Sequence, residues 1–334
     1  MSDLYITNQS VSYREDLCRA LMEAGFRILR YAEGDLPVVN VRGKVFLKSA
    51  AALLKEEKPQ VVIVPEFSGI SLQMSLLKNR FGFKLVSLCD DSIDMIRGND
   101  FVWTHRVARR LLPSRLDGII LHGRAVCEWY RNHFGINDLF MPIMLDEQRY
   151  RAELKRALPL SEQIRPGRKP IVAFVGRFVG LKNIPSLIRS FEPIREQAQL
   201  VLIGDGPERA RLESMAPDAV FTGMLSGDNL LAWYNLIDIL VLPSTQEAYG
   251  SVTGEALMAG ARVLVSRRAG SSDLVREGRN GYLVDPMDTG AMTARLGELL
   301  SGMETARHLE LRSNLHPYRF AECMDGLIKG IRSL

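Results

Sequence analysis

The chain lacks the marks of a disulfide scaffold, a membrane-spanning protein or a nucleic-acid binder. Its 334 residues hold four cysteines, Cys18, Cys89, Cys127 and Cys323, with no CxxC and no histidine at metal-ligand spacing. A disulfide framework and a metal site are therefore not expected, and a reducing cytoplasm is. The longest apolar runs, such as IVAFVG and ILVLP, have strand length, far short of the roughly 20 residues a spanning helix needs. The segment MSDLYITNQS carries neither the basic nor the apolar region of a signal peptide. Tandem repeats and low-complexity tracts are missing too. A net charge of +4 is too small to argue for nucleic acid, and no nucleic-acid motif supports one, although phosphate-bearing ligands or an anionic membrane remain compatible.

What is present is an alternation. Hydrophobic residues make up 46% and charged residues 25%, the profile of a globular protein with sizeable cores. Strand-like runs LYIT, FRILRYA, VVIVPE, KLVSLC and GIILHG alternate with segments of helical spacing, which argues for parallel strands covered by helices. The stretch ALPLSEQIRPGRKP reads as a linker. The alternation then restarts with PIVAFVG, QLVLIG, AVFTG, DILVLPS, ARVLVS and GYLV. The expected fold class is α/β, with two Rossmann-like doubly wound parallel-sheet domains facing a cleft. Residues 1–155 form the first domain, 156–169 the linker, 170–315 the second domain and 316–334 a terminal helix. In that helix Phe320, Met324, Leu327, Ile328 and Ile331 fall on one stripe, which must pack on its own domain or back on the first.

Open α/β sheets bind ligands beyond the carboxyl ends of their strands. After PIVAFVG comes Gly176-Arg177-Phe178-Val179-Gly180-Leu181-Lys182, two fixed cations in a glycine-flanked loop that opens a helix, a plausible diphosphate cradle. It is not GxxxxGK[ST]. After QLVLIG, Gly204 and Gly206 permit close backbone approach, but Arg209 spoils the GxGxxG fingerprint. After DILVLPS, Glu247 precedes a helix expected to start near Ser251, and Glu255 lies about one turn inside it. Carboxylates suit vicinal diols, since each accepts charge-strengthened hydrogen bonds. Two of them beside a diphosphate cradle suit a nucleotide sugar.

The segments GRFVGLK, LVLIGDGPE, FTGML, WYNLIDILVLPS, EAYGSVTGEALMAGARVLVS and NGYLVDPMD resemble, in order and spacing, the donor half of the retaining glycosyltransferases of family 4, which have the GT-B architecture. The resemblance covers roughly residues 170 to 300. It implies that Arg177 and Lys182 stabilise the departing diphosphate and that Glu247 holds the transferred sugar near the reacting carbon. It implies that Glu255 holds the ribose diol, with Gly176, Gly204, Gly206, Tyr249, Gly250, Ser251 and Val252 also on the donor side. It implies a metal-independent, cofactor-free hexosyltransferase with a nucleoside-diphosphate sugar as co-substrate and a glycan or lipid-linked acceptor. The setting it suggests is cell-envelope polysaccharide synthesis, in the cytoplasm or at the inner face of the membrane.

The first half departs from the family pattern. Where family members often have a Gly-Gly loop, this chain has TNQSVSYRE, whose Ser12 and Glu15 fit a capping box. Ser10 in that loop can still border the acceptor. Where a histidine is common, LCDDSID offers Asp90 and Asp91, which could contact donor sugar or acceptor or cap the next helix. His105 and His122 read as structural or surface residues. Arg106, Arg109, Arg110 and Arg115, with Lys78, Arg80 and Lys84, interleave with Trp103, Phe81 and Phe83. They read either as a solvated face or as a contact with anionic membrane. The competing functions are a nucleotide-sugar-binding protein without transferase activity and a sugar-nucleotide epimerase of the same fold.

Overall fold

In the computed structural model of the chain, residues 2–8, 12–98, 103–301, 303 and 310–334 are described. They form two compact units, Met1–Ile143 with Phe320–Leu334, and Met144–Arg319. Ser10 lies outside the described residues, as do the side chains of Trp103 and His105.

The first unit is built on strands β1 (Asp3–Thr7), β2 (Phe26–Arg30), β3 (Val38–Val41), β4 (Lys44–Leu47), β5 (Val61–Pro65), β6 (Lys84–Cys89), β7 (Gly118–Leu121) and β8 (Asn137–Phe140). Six of these make a parallel sheet in the order β2-β1-β5-β6-β7-β8. Val62, Ile63 and Val64 of β5 are wholly buried, as expected of a central strand covered on both faces. Strands β3 and β4 pair antiparallel as a separate hairpin. Arg42 and Gly43 at its tip both have positive φ, the backbone a two-residue hairpin turn requires. The hairpin is held to the helix Gly69–Phe81 by Gln73, whose side-chain amide exchanges two 2.9 Å hydrogen bonds with the Leu47 backbone. The helix Phe320–Arg332 belongs to this unit and buries Phe320, Met324, Leu327 and Ile331. A methyl group on its Gly330 would come within 2.6 Å of Leu139 on β8, so the helix lies directly on that strand.

The second unit carries β9 (Ile171–Val175), β10 (Gln199–Ile203), β11 (Val220–Gly223), β12 (Ile239–Leu242), β13 (Arg262–Ser266) and β14 (Gly281–Val284). All are parallel, in the order β11-β10-β9-β12-β13-β14. Strand order reverses between β9 and β12, so the loops after these two strands flank the switch point where such sheets bind ligands.

Several expectations change. Most of the supposed linker is helical: Leu158–Ile164 follows Glu147–Arg156, and both lie in the second unit. Pro159 suggested a break, but it occupies the first helical turn, where no amide hydrogen is needed. Asn235 fastens this pair to the helix Gly227–Leu236, donating to Leu154 O at 2.8 Å and Ser161 Oγ at 3.2 Å. The capping box also fails to open the first helix. Ser12–Arg14 form a 3-10 turn, which moves the N-cap to Arg14, and the helix runs Glu15–Glu23 without a side-chain cap.

Candidate active site

At the switch point of the second unit, Gly176 leaves β9 and the chain runs through exposed Arg177 and buried Phe178 to a 3-10 turn at Gly180–Lys182. The next helix, Ile184–Phe191, starts only after Lys182. The loop after β12 comes alongside, tied on by a 2.9 Å bond from Thr245 N–H to Leu181 O. This brings Lys182 Nζ onto Glu247 Oε2 as a mostly buried salt bridge. Ser244 Oγ donates to the same oxygen at 3.3 Å. Read along the sequence, Glu247 has no basic partner nearby. Its partner arrives from the other loop.

Gly250 has φ +89, and a Cβ there would fall 2.5 Å from Leu242. The turn is thus closed to other residues by conformation and by space. The helix Val252–Met258 follows, with Ser251 at its N-cap. Among the described residues the amides of Gly250, Ser251 and Val252 donate to no backbone acceptor, so they remain available at the helix start. At the other end, Arg151 donates to Met258 O at 2.8 Å and Arg312 O at 2.9 Å. A cation on the last carbonyls suits the helix dipole and fixes the element that carries Glu255.

Glu255 is half-buried and accepts a 2.5 Å hydrogen bond from Tyr234 Oη. Burial pushes its carboxyl above the usual range, while the hydrogen bonds from Tyr234 and Ser251 pull it back. Tyr150 lies close enough for the Glu255 charge to act on it. Its hydroxyl is buried without a partner among the described residues.

Gly204 and Gly206 have a different reason from ligand approach. A Cβ on Gly204 would sit 1.9 Å from Gly176 O, and one on Gly206 would sit 2.5 Å from Phe178 O. Both glycines let the loop after β10 pass against the loop after β9. Asp205 caps this turn, accepting from Gly206 N–H at 2.7 Å and from Arg209 at 3.0 Å. Tyr249 is buried, and its carbonyl accepts from Ser271 N–H at 2.8 Å.

The first unit gathers a second polar group at the carboxyl ends of its strands. Asp90 pairs with Arg14 and with His122 Nε2 at 2.9 Å, while His122 Nδ1 meets Met141 O at 2.6 Å. Burial raises the Asp90 carboxyl, but His122 and Arg14 outweigh it and hold the group below the usual range. Asp91 is bound by Arg109 and by Tyr130 Oη at 2.7 Å. Asp90 and Asp91 therefore face different partners rather than acting as one paired site. Glu66, after β5, has φ +40, and burial beside Asp90 and Asp91 raises its carboxyl.

The basic patch is split by these contacts. Arg109 turns inward to Asp91, Lys78 and Lys84 share Asp117 at 2.7 and 3.8 Å, and Phe83 is core. Arg110 and Arg115 stay exposed. Reading residue by residue missed Tyr234, Tyr150, Arg14, Glu66 and Tyr130. His122, read as structural, joins the polar group. Glu66 and His122 directly follow strands, so the strand-end rule already contained their signal. Tyr234 and Tyr150 sit mid-helix, where nothing in the sequence marks them.

Two parallel-sheet units of this topology, with a cation–carboxylate pair at the second switch point, define a GT-B fold. Residues 169–302, which carry most of the second unit, match the family described as Glycosyl transferases group 1. The chain is 36% identical over 183 residues to a GDP-mannose-dependent alpha-mannosyltransferase of Corynebacterium glutamicum, covering 54% of this chain and 43% of that one. It is 37% identical over 142 residues to the sulfoquinovosyl transferase SQD2 of Arabidopsis thaliana, covering 41% and 28%. The chain thus spans less than half the length of these curated relatives. Among solved structures, Anabaena HepE in complex with UDP-glucose superposes with a TM-score of 0.72 at 16% identity, covering 100% of both chains. That similarity concerns the fold.

Proposed function

We propose that the chain is a retaining, metal-independent glycosyltransferase. It moves a sugar from a nucleoside-diphosphate sugar to a glycan or lipid-linked acceptor in cell-envelope polysaccharide synthesis, at the cytoplasmic face of the membrane. The observation that carries this reading is the Lys182–Glu247 pair at the switch point, next to a helix start where the amides of Gly250, Ser251 and Val252 donate to no backbone acceptor among the described residues.

Breaking a sugar–phosphate bond leaves an oxocarbenium-like centre and a diphosphate. Lys182 and Arg177 supply fixed positive charge to that diphosphate, and the helix start at Ser251 adds oriented amides. As the diphosphate draws Lys182 away, Glu247 is released to accept sugar hydroxyls. Glu255, which accepts from Tyr234 and Ser251, would offer its remaining lone pairs to the ribose diol. No group here is assigned as a covalent nucleophile. The pairing favours transfer over binding alone, because holding a ligand does not require Glu247 beside the leaving-group cations.

GDP-mannose and UDP-glucose, named with the relatives and the similar structure, are the first donors to try. Thermal unfolding is measured with UDP, GDP, ADP, CMP and dTDP, on the parent and on Glu255→Ala. A ligand at about 100 times its dissociation constant adds about 2.7 kcal/mol to the folded state. One diphosphate should stabilise the parent, and the variant should lose most of that shift. Stabilisation by none of the five would sink the reading.

A further inference from the structure

Two helices close over the carboxylate of Glu255, and each brings a tyrosine. The helix Gly227–Leu236 packs on the helix Glu147–Arg156, which in turn touches the helix Val252–Met258 that carries Glu255. Neighbouring residues fix this arrangement. Tyr234 donates to Glu255 at 2.5 Å, and the next residue, Asn235, donates to Leu154 O at 2.8 Å. Arg151 reaches Met258 O at 2.8 Å, so the residue beside Tyr150 grips the far end of the Glu255 helix. Tyr150 is itself fixed in the first turn of its helix. Its amide donates to Asp146 O at 2.9 Å, and its side chain is buried on the same face as Leu154, one turn on.

Both phenols are core groups, Tyr234 1% and Tyr150 3% exposed. Burial, and after it the Glu255 charge, pushes both well above the usual range, so both keep a proton to donate. Only Tyr234 uses it. The Tyr150 hydroxyl has no partner among the described residues, a state that costs stability and that phenylalanine would avoid with the same packing. Such a hydroxyl is explained by a second state of the site in which it has an acceptor. Glu153 also acts on Tyr150, but its carboxylate is taken by Arg149 at 2.6 Å. Glu255 is left. A carboxylate offers about four lone-pair positions. Tyr234 and Ser251 fill two of them, and a ribose diol would fill the other two. Of the two present donors Ser251 is the exchangeable one, since it stands half-buried at the helix start whereas Tyr234 is enclosed.

We propose that Tyr150 is a positioning residue for nucleotide binding. When a nucleoside diphosphate engages the Ser251 hydroxyl, Tyr150 donates to Glu255 in its place, and the carboxylate meets the ribose diol held between two phenols. One hydrogen bond is exchanged and no covalent bond changes. The inference rests on the donor reading given above and adds to it a residue whose hydroxyl matters only in the bound state.

The experiment is calorimetry of the full chain with GDP and UDP and with their 2′-deoxy forms, on the parent, Tyr150→Phe, Glu255→Gln and the double variant, together with urea unfolding of each without nucleotide. Tyr150→Phe should bind the ribonucleotide about tenfold more weakly and prefer it less over the 2′-deoxy form. Without nucleotide it should unfold at the parent's urea concentration or slightly above. With Glu255→Gln already present, Tyr150→Phe should change nothing further. In sugar transfer the donor KM should rise while kcat holds, because the ribose lies away from the reacting carbon. A further variant tests the exchange without any ligand: in Ser251→Ala the phenol can take the freed position, so adding Tyr150→Phe should lower the urea midpoint that it leaves unchanged on its own. Unchanged ribonucleotide affinity in Tyr150→Phe overturns the inference, as does equal weakening of the 2′-deoxy form. Additive unfolding of Ser251→Ala and Tyr150→Phe overturns it too, and because no nucleotide takes part, that failure is separate from failure of the donor reading. A parent that binds neither diphosphate overturns both.

Discussion

Lys182 and Glu247 stand 65 positions apart in the chain and meet as a salt bridge across the switch point of the second sheet. Each is mostly buried, so each charge is balanced by the other. Under the proposed reaction the pair keeps a cation and a carboxylate at the switch point, where the charge of the departing diphosphate would develop.

Replacing Lys182 by alanine should therefore lower kcat for sugar transfer by about 100- to 1,000-fold. Glu247→Gln should lower kcat while leaving nucleoside-diphosphate affinity within a few-fold of the parent. Steady-state kinetics with the donor identified by thermal shift, plus calorimetric Kd values, separate the two effects. Equal losses in both variants in Kd alone would place the pair in binding.

Two tyrosines around Glu255 should respond differently. Tyr234→Phe removes a hydrogen bond to a half-buried carboxylate and should cost about 1–3 kcal/mol of stability. The same variant should discriminate less between ribose and 2′-deoxyribose nucleotides. Tyr150→Phe removes a hydroxyl with no partner among the described residues, so its stability should be unchanged or slightly higher. Urea unfolding of both variants checks this, and a large loss in Tyr150→Phe would show an unseen partner.

Glu66 and Asp90 should leave opposite marks on stability against pH. The folded Glu66 carboxyl is raised above its ordinary 4.5, so its favourable contribution is complete below that value and is lost as pH rises through the folded value. Glu66→Gln should gain stability relative to the parent above pH 4.5. Asp90 is held below its ordinary 3.8, so its contribution is present above that value and is lost as pH falls through the folded one. Asp90→Asn should be destabilised at neutral pH and approach the parent in strong acid. Parallel pH–unfolding curves for either variant and the parent would contradict these assignments.

Glycines in the second unit divide into required and replaceable ones. Gly204→Ala must take φ +140 and would place a methyl 1.9 Å from Gly176 O, so it should cost at least about 1–3 kcal/mol. Gly297, inside the helix Thr289–Leu300, has nothing within 4 Å of an added Cβ. Gly297→Ala should add about 0.5–1 kcal/mol. Chemical denaturation of the two variants tests whether the loop after β10 truly rests on the loop after β9.

The sequence alone determined the two parallel sheets, because strands such as IVAFV and VVIVP are apolar throughout and are separated by helical periodicity. It also put Gly176, Lys182, Glu247 and Gly250 in loops that follow strands of the second sheet, and the structure has them after β9 and β12. Short, weakly apolar elements escaped it: β8 reads NDLF, and β3 and β4 lie around an Arg-Gly turn. Tertiary structure decided the pairings. Lys182 finds Glu247, Tyr234 finds Glu255, and Asp90 and Asp91 are drawn to different arginines. Contacts between residues tens of positions apart depend on sheet order and loop path, and local periodicity carries neither.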